Sequence, residues 1–469
     1  MTGNRGRISN GNAWRALWDS ARTSLWFLPA LMGGLALGLT AGALALDDRL
    51  GQGPHESLPR LIYVSGPDQA RELLATVLTS MITMASLVFS ITMVVLTLAA
   101  GQFGPRLIRN FMGSLRTQFV LGTFVLTIIY CLLLLASIGA GDGDGSNAYL
   151  SVSLAIGLAL FSIALLVIFI HHLAVSIMSE TLIETVGKEL DEGVRELRPL
   201  SQELDPEPTL PEDFADRAAV SGVEASGYVQ AIEFGRIVEA AQAADVVVGL
   251  FLRAGDFAIP NGRAFGIHPA ERADPDLARA IAGSISLGVH RTPVQDIEFS
   301  IRHLVEIAVR ALSPGINDPY TAVSVIHRLS AAWPELMDRA VPQGVFRDEQ
   351  GQVRVICPVP TYGTLLNASF SQIRQSGADK PIILMHLLKA YAALACCART
   401  GEQRSALRDQ VQAVLEDARR ALPNGADLEN VEQQGRLALR ELDAASGAGA
   451  TGEGRDAGHP PEPEPGPRN

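Results

Sequence analysis

The chain has 469 residues, of which 48% are hydrophobic and only 19% charged. That length allows two or three domains, and so low a charge suits a protein that lies partly in lipid. Its formal charge is −12, with the acids gathered after Glu180, and an acidic soluble half excludes the basic face that phosphate binding needs, so no nucleic-acid partner is expected.

Residues 1–22 are polar and basic, carrying Arg5, Arg7, Arg15 and Arg22, with Trp14, Trp18 and Trp26 as interfacial anchors. The run from Thr23 to Leu46 is uncharged and apolar. Ala43-Leu44-Ala45 looks like a signal-peptide cleavage site, but the run exceeds the usual h-region of about 7–15 residues, so a retained helix is expected. Pro29 falls in its first turns, where proline is tolerated. Asp47 to Glu72 is mixed in charge and rich in Gly and Pro, and reads as a loop.

From Leu73 to Pro105 no side chain is ionisable. A membrane-spanning helix needs only about 20 apolar residues, so a span is predicted at 77–99. Arg106, Arg109 and Arg116 follow, then a span at 118–140, a loop from Gly141 to Asn147 with Asp142 and Asp144, and a span at 148–170 ending at His171-His172. With the first run at 23–46, this makes an α-helical polytopic membrane domain of four transmembrane helices over residues 23–172. The basic N-terminus and the arginine-bearing second loop belong inside and the acidic third loop outside. Both termini are therefore expected in the cytoplasm.

Past His172, Leu173, Ile177, Leu182, Ile183, Val186 and Leu190 recur near helical spacing with Glu180, Glu184, Lys188 and Glu189 between them, an amphipathic neck. Pro199 to Asp216 is rich in proline and acid, so neck and linker together occupy 173–217. A mixed α+β cytoplasmic domain rich in helices is expected over 218–445. Its predicted elements are strands at Tyr228–Ile232 and Val246–Arg253, a helix at Phe234–Ala243, and a hairpin turn at Asn261-Gly262 after Phe257–Ile259. From Asp274 the chain reads mostly helical, with a buried helix from Asp296 to Leu312 and a second hairpin over Gly344–Ile356. Helices at about 365–376, 381–399, 404–422 and 428–444 close the domain. Residues 446–469 have the composition of disorder.

Thr79, Thr83, Ser86, Ser90 and Thr97 share one face of the second span. They suit either close helix–helix packing or the lining of a water-filled path. In LSPGINDPYTA, Asp318 before Pro319 is a helix-start signature, which makes the stretch a helix–turn–helix corner. The alternative has Arg310, Asn317, Asp318 and Tyr320 lining a ligand pocket. His171-His172 has no acidic or cysteine partner at ligand spacing, and Cys131, Cys357, Cys396 and Cys397 form no C-x-x-C, so the thiols read as small buried hydrophobes and no metal or cofactor is expected. Arg253 to Phe257 with Asn261-Gly262 resembles the hairpin of lipoyl- and biotinyl-type domains, but no lysine for modification lies between Phe251 and Arg291. No G-x-S-x-G, H-E-x-x-H, P-loop or Rossmann glycine pattern occurs, and no catalytic residue is assigned.

Met84 to Phe111 (MASLVFSITMVVLTLAAGQFGPRLIRNF), Ser226 to Gly262 and Arg291 to Ala322 resemble the bacterial predicted membrane proteins of domain of unknown function family 2254. The resemblance implies a bacterial inner-membrane protein with a cytoplasmic C-terminal domain and carries no catalytic residues. Three functions fit the sequence: a channel-like or transport-associated homo-oligomer with a sensing or gating domain, a membrane-anchored sensor or scaffold, and an unrecognised envelope or lipid enzyme. The uncharged spans disfavour proton- or sodium-coupled transport.

Overall fold

A computed structural model describes residues 26–50, 67–103, 115–139, 149–176, 179–197, 199–200, 210, 213–341 and 344–450. The basic N-terminus, Arg106 and Arg109, most of each predicted loop and linker, and the tail from residue 451 lie outside the described residues. The chain divides into two compact units, Met1–Thr181 and Leu182–Asn469.

Among its described residues the first unit has four helices long and apolar enough to cross a membrane: α1 (Phe27–Leu50), α2 (Pro67–Phe103), α3 (Leu115–Gly139) and α4 (Tyr149–Ser176). The helices run further than the uncharged stretches predict. Asp47, Asp48 and Arg49 close α1, while Asp68, Arg71 and Glu72 lie in the first turns of α2, so the loop expected over 47–72 is shorter. Charges at a span's edge face headgroups and water and give a helix no reason to stop. Within the unit α3 is the most enclosed helix. Gly122 lets α1 come close to it, because a Cβ there would meet Met32 and the backbone of Pro29. Phe124, Tyr130 and Leu134 on α3 are fully enclosed.

Asp47 reads as a loop residue in the sequence, but its carboxylate is buried. It accepts the backbone N–H groups of Leu150 and Ser151, both at 2.9 Å, and the Ser151 hydroxyl at 2.5 Å. The end of α1 thus caps the start of α4, satisfying donors that an apolar surrounding would leave bare. Tyr130 on α3 donates to the Ser151 carbonyl (2.9 Å), and the Thr127 and Ser162 hydroxyls meet at 3.1 Å between α3 and α4.

The second unit joins an α/β part to a helical part. Strands β1 (Ala219–Ser221), β5 (Phe265–His268), β3 (Val247–Leu250), β8 (Val353–Ile356) and β7 (Val345–Arg347) form one sheet in that order. Within this sheet β3 and β8 pair in parallel and the other neighbours antiparallel. A second, antiparallel sheet has the order β4 (Phe257–Ala258), β2 (Gly227–Ile232), β6 (Ile285–Gly288). Helices α7 (Phe234–Ala244) and α8 (Pro275–Gly283) bury Ile237, Ala241, Leu277 and Ile281 in the same core. A short α6 (Phe214–Arg217) precedes β1.

The helical part comprises α5 (Ser179–Arg195), α9 (Ile297–Ala311), α10 (Pro319–Met337), α11 (Tyr362–Leu366), a π turn at Asn367–Ser371, α12 (Gln372–Ser376), α13 (Pro381–Ala395), α14 (Gly401–Ala421) and α15 (Ala426–Ala450). Its core gathers Trp333, Phe370, Tyr391, Leu387 and Val411.

Three expectations change here. The stretch read as part of a neck, α5, buries Ile183, Val186, Leu190 and Val194 in the helical core, so the second unit starts near Leu182 rather than at 218. Asp191 of α5 also pairs with Arg328 of α10 (2.5 Å), and the Leu197 carbonyl accepts from Arg339 (3.1 Å). The turn at Asn261-Gly262 has the left-handed φ of 56° that its sequence suggests, yet it joins no hairpin: β4 before it and β5 after it belong to different sheets. The chain after Asp274 contains strand β6 directly behind α8. The hairpin at 344–356 forms as β7–β8.

Candidate functional site

The site is a cavity of about 690 Å³ inside the second unit, within the size range of small-molecule pockets. It opens where the α5 face bearing Glu189, Glu192 and Gly193, with Glu196 just past the helix end, meets the start of α9 (Asp296, Ile297, Glu298), Arg253 after β3, and residues flanking the β7–β8 hairpin. Phe234 opens α7 and Phe346 sits in β7; their rings stack at 3.9 Å and 12°, giving one wall a flat aromatic face. Cys357, Val359 and Leu365 continue the apolar lining. Burial pushes the Cys357 thiol up to about 11, so it is a neutral wall group at ordinary pH.

The polar floor consists of two buried carboxylates with committed partners. Glu298 is 3% exposed and accepts from Arg253 at 2.6 Å and from Arg302 at 2.7 Å. Burial alone would raise its carboxyl, but the bond to Arg302 and the charge of Arg253 hold it below the ordinary glutamate value. Asp296 accepts from Arg291 at 2.6 and 3.0 Å. There burial outweighs the arginine, helped by the nearby Glu298 charge, and the carboxyl is raised.

The backbone around this floor is shaped for close approach. Gly255 has φ 90° and faces Asp296 and Arg291 so closely that a Cβ would strike both. Gln295, at φ 59°, accepts the Ile232 N–H (3.0 Å) and donates to the Ile232 carbonyl (3.2 Å), fastening the loop before α9 to β2. The arginine at 253 is fixed at both ends, its backbone N–H donating to Asp256 at 3.0 Å.

The residues singled out from sequence lie elsewhere. Thr79, Thr83, Ser86, Ser90 and Thr97 do share one face of α2, but that face is exposed and points away from the unit's own core. The buried threonine of α2 is Thr92. Thr79, Thr83 and Thr97 bond back to the carbonyls of Ala75, Thr79 and Met93 at 2.8–2.9 Å, which leaves their outer surface tolerable in lipid.

At the corner, Asp318 caps α10. One oxygen accepts the N–H groups of Tyr320 and Thr321, both at 3.1 Å, and the other the Thr321 hydroxyl at 2.6 Å. Asn317 takes the left-handed turn at φ 49°, and Ser313 closes α9 by bonding to the Arg310 carbonyl. Arg310 pairs along its own helix with Glu306 at 3.7 Å, Tyr320 is exposed, and none of the four residues lines the cavity. Of the thiols, Cys131 is buried but Cys396 is exposed and lies 3.8 Å from Cys397, unlike the buried hydrophobes expected.

Sequence reasoning missed Arg253, Asp296, Glu298, Phe234 and Phe346. One signal was present: Asp296 and Glu298 open a helix that is apolar on several faces, and acids in such a setting are buried only with partners.

Residues 22–393 match the family described as predicted membrane protein, DUF2254. The chain belongs to this family. Uncharacterized proteins of Mycobacterium bovis and Mycobacterium tuberculosis are each 32% identical to it over 425 residues, covering 89% of this chain and 80% of theirs. No solved structure matches. It is thus a member of the DUF2254 predicted membrane proteins, with four described helices long and apolar enough to cross a membrane followed by a mixed α/β unit.

Proposed function

We propose that this DUF2254 protein is a membrane-anchored sensor: the spans hold it in the bacterial inner membrane with both termini cytoplasmic, and the second unit binds a small molecule there. The cavity of about 690 Å³ carries this reading. It joins an apolar, aromatic wall to a few fixed charges, the combination by which ligand sites orient what they bind. The reading is non-enzymatic and needs neither metal nor nucleic acid. Gly193 supplies the test, because it lines the cavity and a Cβ built there meets nothing within 4 Å. Gly193→Trp should fill the cavity without straining the helix. Full-length wild type and variant, purified in parallel, are compared by mass spectrometry for co-purifying small molecules. A compound retained by wild type and lost from Gly193→Trp supports the reading; identical content in the two overturns it.

A second reading, a channel-like or transport-associated homo-oligomer gated by the same domain, is favoured by the outward hydroxyl face of α2. An outward polar stripe in lipid suits contact with another copy. Single cysteines at Thr83 and Ser86, in a chain whose four native cysteines are replaced, should cross-link between copies in membranes. Cross-linking no better than at Leu160, exposed on α4, would remove this reading.

A further inference from the structure

The geometry points to an amphipathic organic cation as the cavity's ligand: an amine or quaternary ammonium held by Glu189, Glu192 and Glu196, on an apolar body lodged against Phe234 and Phe346. This rests on the cavity being a binding site, and it adds the sign of the ligand's charge and the place where the charge sits.

The charge follows from which groups are already neutralised. Among the described residues five acids line the cavity (Glu189, Glu192, Glu196, Asp296 and Glu298), against one base, Arg253. Glu298 and Asp296 are matched by arginines, and Arg253 is used up by Glu298. The glutamates of α5 are different. Glu189 and Glu192 stand three residues apart on α5 and Glu196 follows four further on, in the turn just past its end, a spacing at which like charges repel. The basic residues of the same helix turn to other acids: Lys188 to Glu184 (3.5 Å) and Arg195 to Glu335 (3.7 Å). The rim therefore holds a concentrated negative charge beside an apolar space. Burial, and then the charge of Glu192, push the Glu189 carboxyl above its ordinary value, the crowding that a bound cation relieves.

The body follows from the walls. Phe234 and Phe346 present stacked ring surface, which attracts both apolar groups and the diffuse charge of an alkylated ammonium. Leu190, Ile297, Val341, Val359 and Leu365 add aliphatic surface, an unfavourable lining for a hydrated metal ion. Among the described residues an anion would find only Arg253, and only by breaking its 2.6 Å bond to Glu298.

The test uses three probes with one body: phenylbutylamine, phenylbutanol and phenylbutyrate. Binding to the full-length protein in nanodiscs is read by hydrogen-exchange protection of the α5 and β7 segments, with empty nanodiscs as the partition control. The amine should bind about tenfold tighter than the alcohol, and the carboxylate weakest: Glu189 is half-buried with Glu192 and Glu196 exposed beside it, and a close charge pair at an effective dielectric of about 20 exceeds the roughly 1.4 kcal/mol that tenfold requires. Glu189→Gln with Glu192→Gln should erase most of this preference while leaving the alcohol's affinity unchanged, and Gly193→Trp should abolish binding of all three. Alcohol binding as tight as the amine, amine preference surviving in the double variant, or the same protection from calcium alone would overturn the cationic ligand while leaving the cavity as a site. Failure of every probe, or undiminished binding to Gly193→Trp, would overturn both.

Discussion

Replacing Asp318 by alanine removes all three hydrogen bonds that its carboxylate accepts at the start of α10, two from backbone N–H groups and one from the Thr321 hydroxyl. Loss of an N-cap costs about 0.5–2 kcal/mol, and three lost bonds at a half-buried position place this one in the upper half, about 1–2 kcal/mol. In a unit of this size each kcal/mol moves Tm by about 2–4 °C, so the melt should fall by about 2–8 °C. Trp333, buried in the same helix, gives a fluorescence readout of that transition in the full-length protein. Asp318→Asn keeps the acceptor oxygen and should melt within about 1 °C of wild type, because asparagine caps as well as aspartate. The Thr321 hydroxyl bond first, and the backbone bonds with it, hold the Asp318 carboxyl below its ordinary value. A depressed carboxylate contributes stability above its unfolded value, about 3.9, and loses it as pH falls through the lower folded value. The gap between wild type and Asp318→Ala should therefore be full at neutral pH and close as the pH falls below about 3.9. An unchanged melt for the alanine variant, or a gap that widens in acid, refutes the capping account.

Glu298 and Asp296 should respond to acid with opposite signs. The depressed Glu298 carboxyl contributes stability that is lost as pH falls below about 4.3, so Glu298→Gln should flatten the acid limb of the melting curve; an unchanged limb counts against the pairing with Arg253 and Arg302. The raised Asp296 carboxyl favours folding most in acid and loses that contribution as pH rises, so Asp296→Asn should gain relative to wild type as pH rises from about 4 to its raised value, and a relative loss there would contradict the burial argument. A soluble fragment from Thr209 lacks α5 and uncovers the partners of Ile183, Val186, Leu190 and Val194, a loss of about 6–12 kcal/mol by side-chain burial, comparable to a whole domain's stability. It should aggregate, whereas a fragment from Ser179 should melt cooperatively; equal behaviour of the two would show that α5 is dispensable. For topology, phosphatase fusions should be active at Gly66 and Gly143 and silent at Gly113 and Gly447, and activity at Gly113 would invert the orientation.

The spans were legible because burial in hydrocarbon excludes charge over a continuous length, a one-dimensional signal. Their ends were not, since Asp47 and Glu72 lie in helices whose polar termini face water or cap a neighbour. Local turn chemistry was equally readable: Asn261 and Asn317 take left-handed φ, and Asp318 caps, as their residue types suggest. What local chemistry leaves open is the partner. The strands flanking Asn261-Gly262 separate into two sheets, and the amphipathic face of α5 docks on a helical core assembled from residues more than a hundred positions later. The cavity was illegible for the same reason. Glu189, Phe234, Arg253, Glu298 and Phe346 come from five separate stretches, and no spacing within any of them marks the site.

The most direct test is a density map of the full-length protein in nanodiscs saturated with phenylbutylamine. The account predicts density between the Phe234–Phe346 pair and the glutamates of α5, absent from the Gly193→Trp map. A cavity that stays empty at saturation, or one closed by the chain itself, would contradict it.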